Sequence, residues 1–418
     1  MTTSIVVVGA GECGARTALT MRDAGFDGAI TVVGAETLAP YERPPLSKSA
    51  LAGADEPSPT TVCSAERFAE QAIAFEAGAH AAELDRAARA VVLADGRRLP
   101  YDKLVLATGA HPRRLTCPGG ESAVTLRTFA DAVRLRHELR PGRRVAIIGG
   151  GFIGLEVAAA AIARGAAVTV VELAPRLMVR GVPEPLATIV TDRHRAAGVA
   201  VWCGVSVERI DVVGIEHRVE LSDGRVVAAD VVIAGVGAQP TTELAGSAGL
   251  AIDNGIRVDE HLRTDDPDVL AAGDCCSFVH PLFGGRRLRL ESWRNAHDHA
   301  AVAARNALGG EMPVTAVPWF WSDQYELGLQ IAGLPDEAAD EIVRHRADGV
   351  DVRFGLAADG RLVSVCGVGP GASIGRDVRL GEMLIAGAAH PDPAALADPA
   401  VNLKTLIAHH RVAKEPTS

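Results

Sequence analysis

Two stretches of this sequence repeat one order of apolar and polar residues. Ser4–Val8 is a β-branched run, broken by Gly9-Ala10-Gly11-Glu12-Cys13-Gly14 and followed by alanine-rich residues 15–24 that read as a helix. A second apolar run, 29–33, then ends in Gly34-Ala35-Glu36. Much later Arg144–Ile148 leads into Gly149-Gly150-Gly151-Phe152-Ile153-Gly154, a helix through Arg164, and an apolar run at 167–171 that ends in Glu172. Each stretch reads strand, glycine turn, helix, strand, acid. Between and after them lie hairpin patterns. Residues 90–99 turn at Asp95-Gly96 and residues 219–227 at Asp223-Gly224, followed by strand-like runs at 103–110 and 230–237. A short strand at 268–274 ends in Gly273-Asp274. From about Pro318 the texture changes: 341–345, 350–356 and 362–368 read as antiparallel strands with a turn at Asp359-Gly360, and helices are expected at 379–387 and 400–409.

The repeated order is the βαβ dinucleotide fingerprint. Its first glycine allows the tight turn out of the strand, its second lets a pyrophosphate approach the backbone, and its third lets helix and strand pack closely. The helix N-terminus then offers free N–H groups and a positive dipole end to phosphate. Glu36 and Glu172 follow their first glycines by somewhat more than the usual spacing of about 20 residues. One such turn is weak support for a nucleotide site. Two complete units imply two cofactors, or a cofactor and a nucleotide substrate.

Composition narrows the classes. A 418-residue chain with 48% hydrophobic residues has room for two to four cored domains. Its net charge of −10 and its 4% aromatic content argue against nonspecific DNA binding, base-stacking surfaces and anionic membranes. The longest apolar run, 145–163, contains three consecutive glycines and Glu156, so no membrane span is expected. A strand that begins at once leaves no room for a signal peptide, and seven cysteines without framework spacing read as reduced thiols, so a cytoplasmic location is expected. Cys13, in the first glycine turn, lies where a helix end can lower a thiol pKa, although a small packed residue is the plainer reading. The adjacent Cys275 and Cys276 read as free thiols. His297 and His299 are two apart and would diverge on a helix, and no metal site is expected.

The motifs together resemble a known family. They are Gly9-x-Gly11-x-x-Gly14, Tyr41-Glu42-Arg43-Pro44-Pro45-Leu46-Ser47-Lys48, Ala107-Thr108-Gly109, Gly149-x-Gly151-x-x-Gly154, Ala272-Gly273-Asp274, Glu291-Ser292-Trp293 and Trp319-Phe320-Trp321-Ser322-Asp323-Gln324-Tyr325. This series is similar to the FAD-dependent, NADH-utilising ferredoxin reductases that serve Rieske-type oxygenases and bacterial cytochrome P450 systems. The resemblance implies an α/β fold with two Rossmann-like dinucleotide-binding domains of the glutathione-reductase type and a small C-terminal α+β domain. The FAD domain would occupy 1–113 and 241–317, the NADH domain 114–240 and the C-terminal domain 318–418. FAD would lie against Gly9, Gly11, Gly14, Arg43, Lys48, Ala81, Thr108, Gly109, Arg127, Asp274, Trp293 and Trp321. Its ribose falls to Glu36, because relatives often carry an acid at the position of Ala35. NADH would lie against Gly149, Gly151, Ile153, Gly154, Glu156, Glu172, Arg180 and Gly237, with Lys48 and Glu156 at the reacting centre.

Physical reasoning supports several of these assignments beside the resemblance. A strand-end carboxylate at Glu172 would hold the ribose 2′-OH of NADH and repel the 2′-phosphate of NADPH, although Arg176 and Arg180 are near in sequence. Lys48 follows two prolines that fix its backbone. The absence of a C-x-x-C or C-x4-C pair, and Ser47 where related peroxidases and oxidases keep a cysteine, argue against disulfide or peroxide chemistry. The expected partner is a [2Fe-2S] ferredoxin, with no nucleic acid and no membrane, and with a monomer preferred for the oligomeric state. Arg286, Arg287, Arg289 and Arg294 form the densest candidate docking patch. The rival readings are a related flavoprotein reducing rubredoxin, a quinone or a small molecule, and an NADH redox sensor resembling apoptosis-inducing factors.

Overall fold

The computed structural model describes residues 3–407. The chain divides into two compact units, each assembled from separated stretches. The first runs to Arg43 and adds Pro59–His111 and Ala238–Ala316. The second takes Pro44–Ser58, Pro112–Gly237 and the chain from Val317 onward.

The first unit is built on a five-stranded parallel sheet in the order Val269–Ala271, Lys103–Leu106, Ser4–Val8, Ala29–Gly34, Ile73–Ala77. Ser4–Val8 lies at its centre and is buried from Ile5 to Val8, because a parallel strand covered on both faces must be apolar throughout. The helix Glu12–Asp23 follows it and packs against Trp293–Ala307. This first helix starts three residues before the expected residue 15. The alanine signal begins late, whereas the glycine turn already has helical geometry and a first turn needs no intrahelical donors. The hairpin at 90–99 is present as Ala90–Leu93 and Arg98–Pro100, and Ala81–Asp85 adds a third antiparallel strand.

The second unit holds a four-stranded parallel sheet in the order Ala200–Cys203, Ala167–Glu172, Arg144–Ile148, Val231–Ala234. An antiparallel sheet of Val207–Val213, Glu216–Leu221 and Val226–Ala229 shares a core with it through Ile148, Val171, Val219, Leu221 and Val232. The segment 44–58 belongs to this unit for a visible reason. Buried Arg136 donates to the carbonyls of Gly53 (2.7 Å), Ala54 (3.1 Å) and Leu51 (3.3 Å), which a helix as short as Ser49–Ala52 leaves unpaired.

Beyond Val317 five antiparallel strands run in the order Trp319–Gln324, Leu327–Gly333, Leu362–Pro370, Asp351–Leu356, Asp340–His345. The first two strands are absent from the sequence expectations, and neither glycine nor asparagine stands at their turn. Tyr325 makes that turn at a φ of +55°. The helix Gly375–Ala386 covers the sheet, so close that a Cβ on Gly381 would meet Val365 Cγ1 at 2.5 Å. Of the helix expected at 400–409, residues 403–407 are helical, and 408–409 lie outside the described residues. Among the described residues, no helix is long and apolar enough to cross a membrane.

Candidate functional site

The two glycine turns share one steric logic. A Cβ on Gly9 would sit 2.1 Å from the Ala107 carbonyl oxygen, and one on Gly14 would sit 1.8 Å from the Gly9 carbonyl oxygen. In the second unit a Cβ on Gly149 would meet Gly235 O at 2.4 Å, and one on Gly154 would meet Gly149 O at 2.2 Å. Gly9 and Gly149 also have φ of +113° and +106°, which side-chain-bearing residues rarely adopt. The outer glycines are therefore demanded by the protein itself. The middle ones are not: nothing lies within 4 Å of a Cβ on Gly11 or Gly151, and both have ordinary extended backbone. Each middle glycine is the N-cap of its helix and provides no side-chain cap, so first-turn N–H groups face open space. Such a cradle fits the pyrophosphate of a dinucleotide.

The acids after the second strands are held differently. Glu172 accepts from the backbone N–H of Gly150 at 2.6 Å and of Ala174 at 2.7 Å, which turns its carboxylate toward the glycine turn. Glu36 is engaged by the Tyr41 hydroxyl at 2.5 Å and by Arg43 Nη2 at 2.9 Å, and the Arg43 guanidinium lies over the Tyr41 ring.

Other residues singled out in the first unit sit at strand exits and helix starts. The Thr108 hydroxyl donates to Thr241 O at 2.7 Å, and Gly109, at φ +71°, accepts from Thr241 N at 2.9 Å. Asp274 lies in the short turn Gly273–Cys275 that ends the Val269–Ala271 strand. Trp293 opens its helix and stacks on His297, and Ala81 opens its strand. Cys13 is the small packed residue of the plainer reading: it is buried, and burial, with Cys275 and Asp274 beside it, pushes its thiol well above the ordinary value. Cys275 and Cys276 are free thiols. His297 points outward while His299 is buried, and its Nδ1 accepts from Gly273 N. Among the described residues no group of three or more His, Cys, Asp or Glu could hold a metal ion.

The second unit contains a buried polar cluster. Glu156, on the helix Phe152–Ala163, is 4% exposed. Its Oε1 accepts from Lys48 Nζ at 2.9 Å and from the Ser322 hydroxyl at 2.6 Å, while Oε2 accepts from Ser47. Two separated segments, 47–48 and the strand of Ser322, thus supply the partners of one carboxylate carried on a third. Lys48 also lies 5.7 Å from the Trp321 ring centroid, and Trp321 stacks on Trp319. Ile153 is exposed at the start of the Glu156 helix. The Arg180 guanidinium passes 3.5 Å from where a Gly237 Cβ would stand, and Gly237 has φ +101°. Arg127 precedes the helix Phe129–Glu138, and its N–H donates to Asp131 at 3.1 Å. Ser47 and Ser322 both stand in motifs that carry the resemblance, but the sequence assigns neither a role toward Glu156. A single serine carries no pattern.

The arginine patch is largely committed within the fold. Arg287 donates to Ser277 O at 2.6 Å and to Val258 O at 2.9 Å, Arg289 pairs with Glu291, and Arg294 pairs with Asp298 at 2.9 Å.

Two cradles shaped for pyrophosphate, with a paired lysine and glutamate in the second unit, define a two-nucleotide oxidoreductase. The chain belongs to the pyridine nucleotide-disulphide oxidoreductase family, whose model matches residues 3–300, and a reductase C-terminal family model matches residues 319–407. It is 43% identical to the anthranilate 1,2-dioxygenase system ferredoxin–NAD(+) reductase component of Burkholderia cepacia, over 96% of this chain and 98% of that one. Among solved structures it resembles the ferredoxin reductase for the CYP199A2 system from Rhodopseudomonas palustris, with TM-score 0.91 and 36% identity over 96% of this chain and 99% of that chain. A covalent putidaredoxin reductase–putidaredoxin complex matches with TM-score 0.91 and 36% identity, covering 98% and 99%.

Proposed function

We propose that this chain takes hydride from NADH onto FAD and passes the electrons singly to a [2Fe-2S] ferredoxin that feeds an oxygenase or a cytochrome P450, in the cytoplasm. The observation that carries this reading is the steric logic of the two turns, in which only the middle glycines, Gly11 and Gly151, are unnecessary to the protein's own packing. FAD is assigned to 1–113 and 241–317 and NADH to 114–240, with 318–418 as the C-terminal domain.

Bound FAD supplies two-electron acceptance and one-electron release; the protein supplies position and charge. The N–H groups at the starts of Glu12–Asp23 and Phe152–Ala163 would bind the two pyrophosphates. Arg43, Arg127, Thr108, Gly109, Ala81 and Asp274 are assigned to FAD, and Trp293 and Trp321 to the sides of its ring. Glu36 would take the FAD ribose, with Tyr41 and Arg43 fixing its carboxylate. Glu172 would accept from the NADH ribose with lone pairs left over from Gly150 and Ala174. Ile153, Arg180 and Gly237 would line the same site. Lys48, held by Glu156, would present a fixed positive charge where negative charge accumulates on reduction.

The test is NADH-driven cytochrome c reduction by the FAD-loaded chain with and without a [2Fe-2S] ferredoxin. Strong dependence on ferredoxin is expected. A folded chain that takes up no FAD, or a rate indifferent to ferredoxin, would overturn the assignment.

A further inference from the structure

The buried polar groups behind Glu156 do not end at Ser322. Gln324 Nε2 donates to Ser322 Oγ at 3.0 Å, Gln324 Oε1 lies 2.8 Å from His194 Nε2, and His194 Nδ1 lies 3.1 Å from the Tyr325 hydroxyl. Ser322, Gln324 and His194 are 1%, 3% and 0% exposed. We infer that His194 and Gln324 are positioning residues for the Lys48–Glu156 pair, acting through a hydrogen-bond chain that runs from Tyr325 through His194, Gln324 and Ser322 to Glu156. The inference rests on the reading that this pair serves hydride transfer.

The chemistry of the groups fixes the direction of every bond. Glu156, paired with Lys48, only accepts, so the Ser322 hydroxyl must give it its proton. Ser322 Oγ then accepts, which turns the amide NH2 of Gln324 toward it and the amide oxygen toward His194. An amide oxygen requires a donor, so His194 carries its proton on Nε2. Nδ1 is left as an acceptor for the Tyr325 hydroxyl. All four bonds point toward the carboxylate, and bonds aligned in one sense polarise one another. An amide in the middle means that the chain conveys orientation and no proton travels along it.

Two further observations agree. Burial pushes the His194 imidazole below its ordinary value, which keeps it neutral and able to accept at Nδ1. Tyr325 stands at φ +55° in a hairpin turn where glycine or asparagine is the unstrained choice. Its ring is clamped under the Arg193 guanidinium at 4.1 Å, and Arg193 in turn pairs with Glu326 at 2.6 Å. The strain is retained at the residue whose hydroxyl starts the chain.

Two measurements on the FAD-loaded protein test this. Nitrogen-15 NMR of labelled histidine at neutral pH should show His194 neutral with its proton on Nε2. A proton on Nδ1, or a cationic ring, would break the chain as drawn and overturn the inference, whether or not any variant folds. In stopped-flow reduction by NADH, Gln324→Leu should slow the hydride step by about tenfold, with NADH affinity nearly unchanged. Tyr325→Phe, which keeps the ring under Arg193, should slow it by a smaller factor. FAD-loaded Gln324→Leu reduced at the wild-type rate would reduce the chain to a structural tie. A wild-type protein that NADH does not reduce would instead sink the functional reading, so the two failures are distinct.

Discussion

Both oxygens of the Glu172 carboxylate are tied to backbone N–H groups, and this fixes its plane toward the glycine turn before any nucleotide arrives. A carboxylate so held is suited to the 2′-OH of NADH and opposed to a 2′-phosphate. Glu172→Ala should therefore narrow the preference for NADH over NADPH, in kcat/KM, by about tenfold, or ~1.4 kcal/mol. An unchanged ratio would remove Glu172 from the ribose. Glu172 was legible in the sequence because it ends an apolar strand at a set distance from a glycine turn. Glu156 and Lys48 were singled out through the resemblance alone, and nothing local announced that they would meet. Ser47, Ser322 and Gln324 stand inside motifs that carry the resemblance and His194 in none, but nothing local gives any of the four a role, since what gives them meaning is a partner far away in sequence.

Among the elements, the two βαβ units were the most legible, because their buried parallel strands are apolar throughout and glycine marks each turn. Their glycines now separate into two kinds with different consequences. Gly14→Ala would drive a Cβ into the Gly9 carbonyl and should destabilise the protein by about 1–3 kcal/mol or more, read as a lower midpoint in denaturant. Gly11→Ala meets no atom within 4 Å and has ordinary dihedrals, so the midpoint of the FAD-free protein should hardly move while FAD retention after gel filtration drops. Equal losses of stability in the two variants would mean that the open space at Gly11 is not a ligand's. The hairpin Trp319–Gly333 was the least legible element. Its strands mix aromatic and polar residues, and its turn uses a tyrosine in a backbone region that sequence rules reserve for glycine and asparagine.

For the molecule as a whole, buried histidines set an acid limit on stability. His194, His280 and His299 are all held below the ordinary imidazole value by burial, His299 down to about 3. In the unfolded chain they take up protons below about pH 6.5, while the folded chain refuses them. Their contribution is thus complete above the unfolded value and is lost as pH falls toward the folded one. The denaturant midpoint should drop between about pH 7 and pH 5, a window in which carboxylates change little. His299→Asn, whose amide oxygen can still accept from Gly273 N, should flatten that slope. A slope that the substitution leaves unchanged would place the acid sensitivity elsewhere.

The sequence by itself determined the two βαβ units and the mixed α/β class with a C-terminal sheet, because periodicity and glycine spacing are local and survive in the linear order, and it pointed to the family through the resemblance of short motifs such as Arg43–Lys48 and Trp319–Tyr325. The tertiary structure alone decided which side chains meet. It placed residues 44–58 in the second unit through the carbonyls that Arg136 binds. It also committed Arg287, Arg289 and Arg294 to partners inside the fold. And it drew Ser47, Lys48 and Ser322 onto one buried carboxylate. A buried charge must be paired wherever its partners lie in the chain, so the site is written in distances that no linear pattern contains.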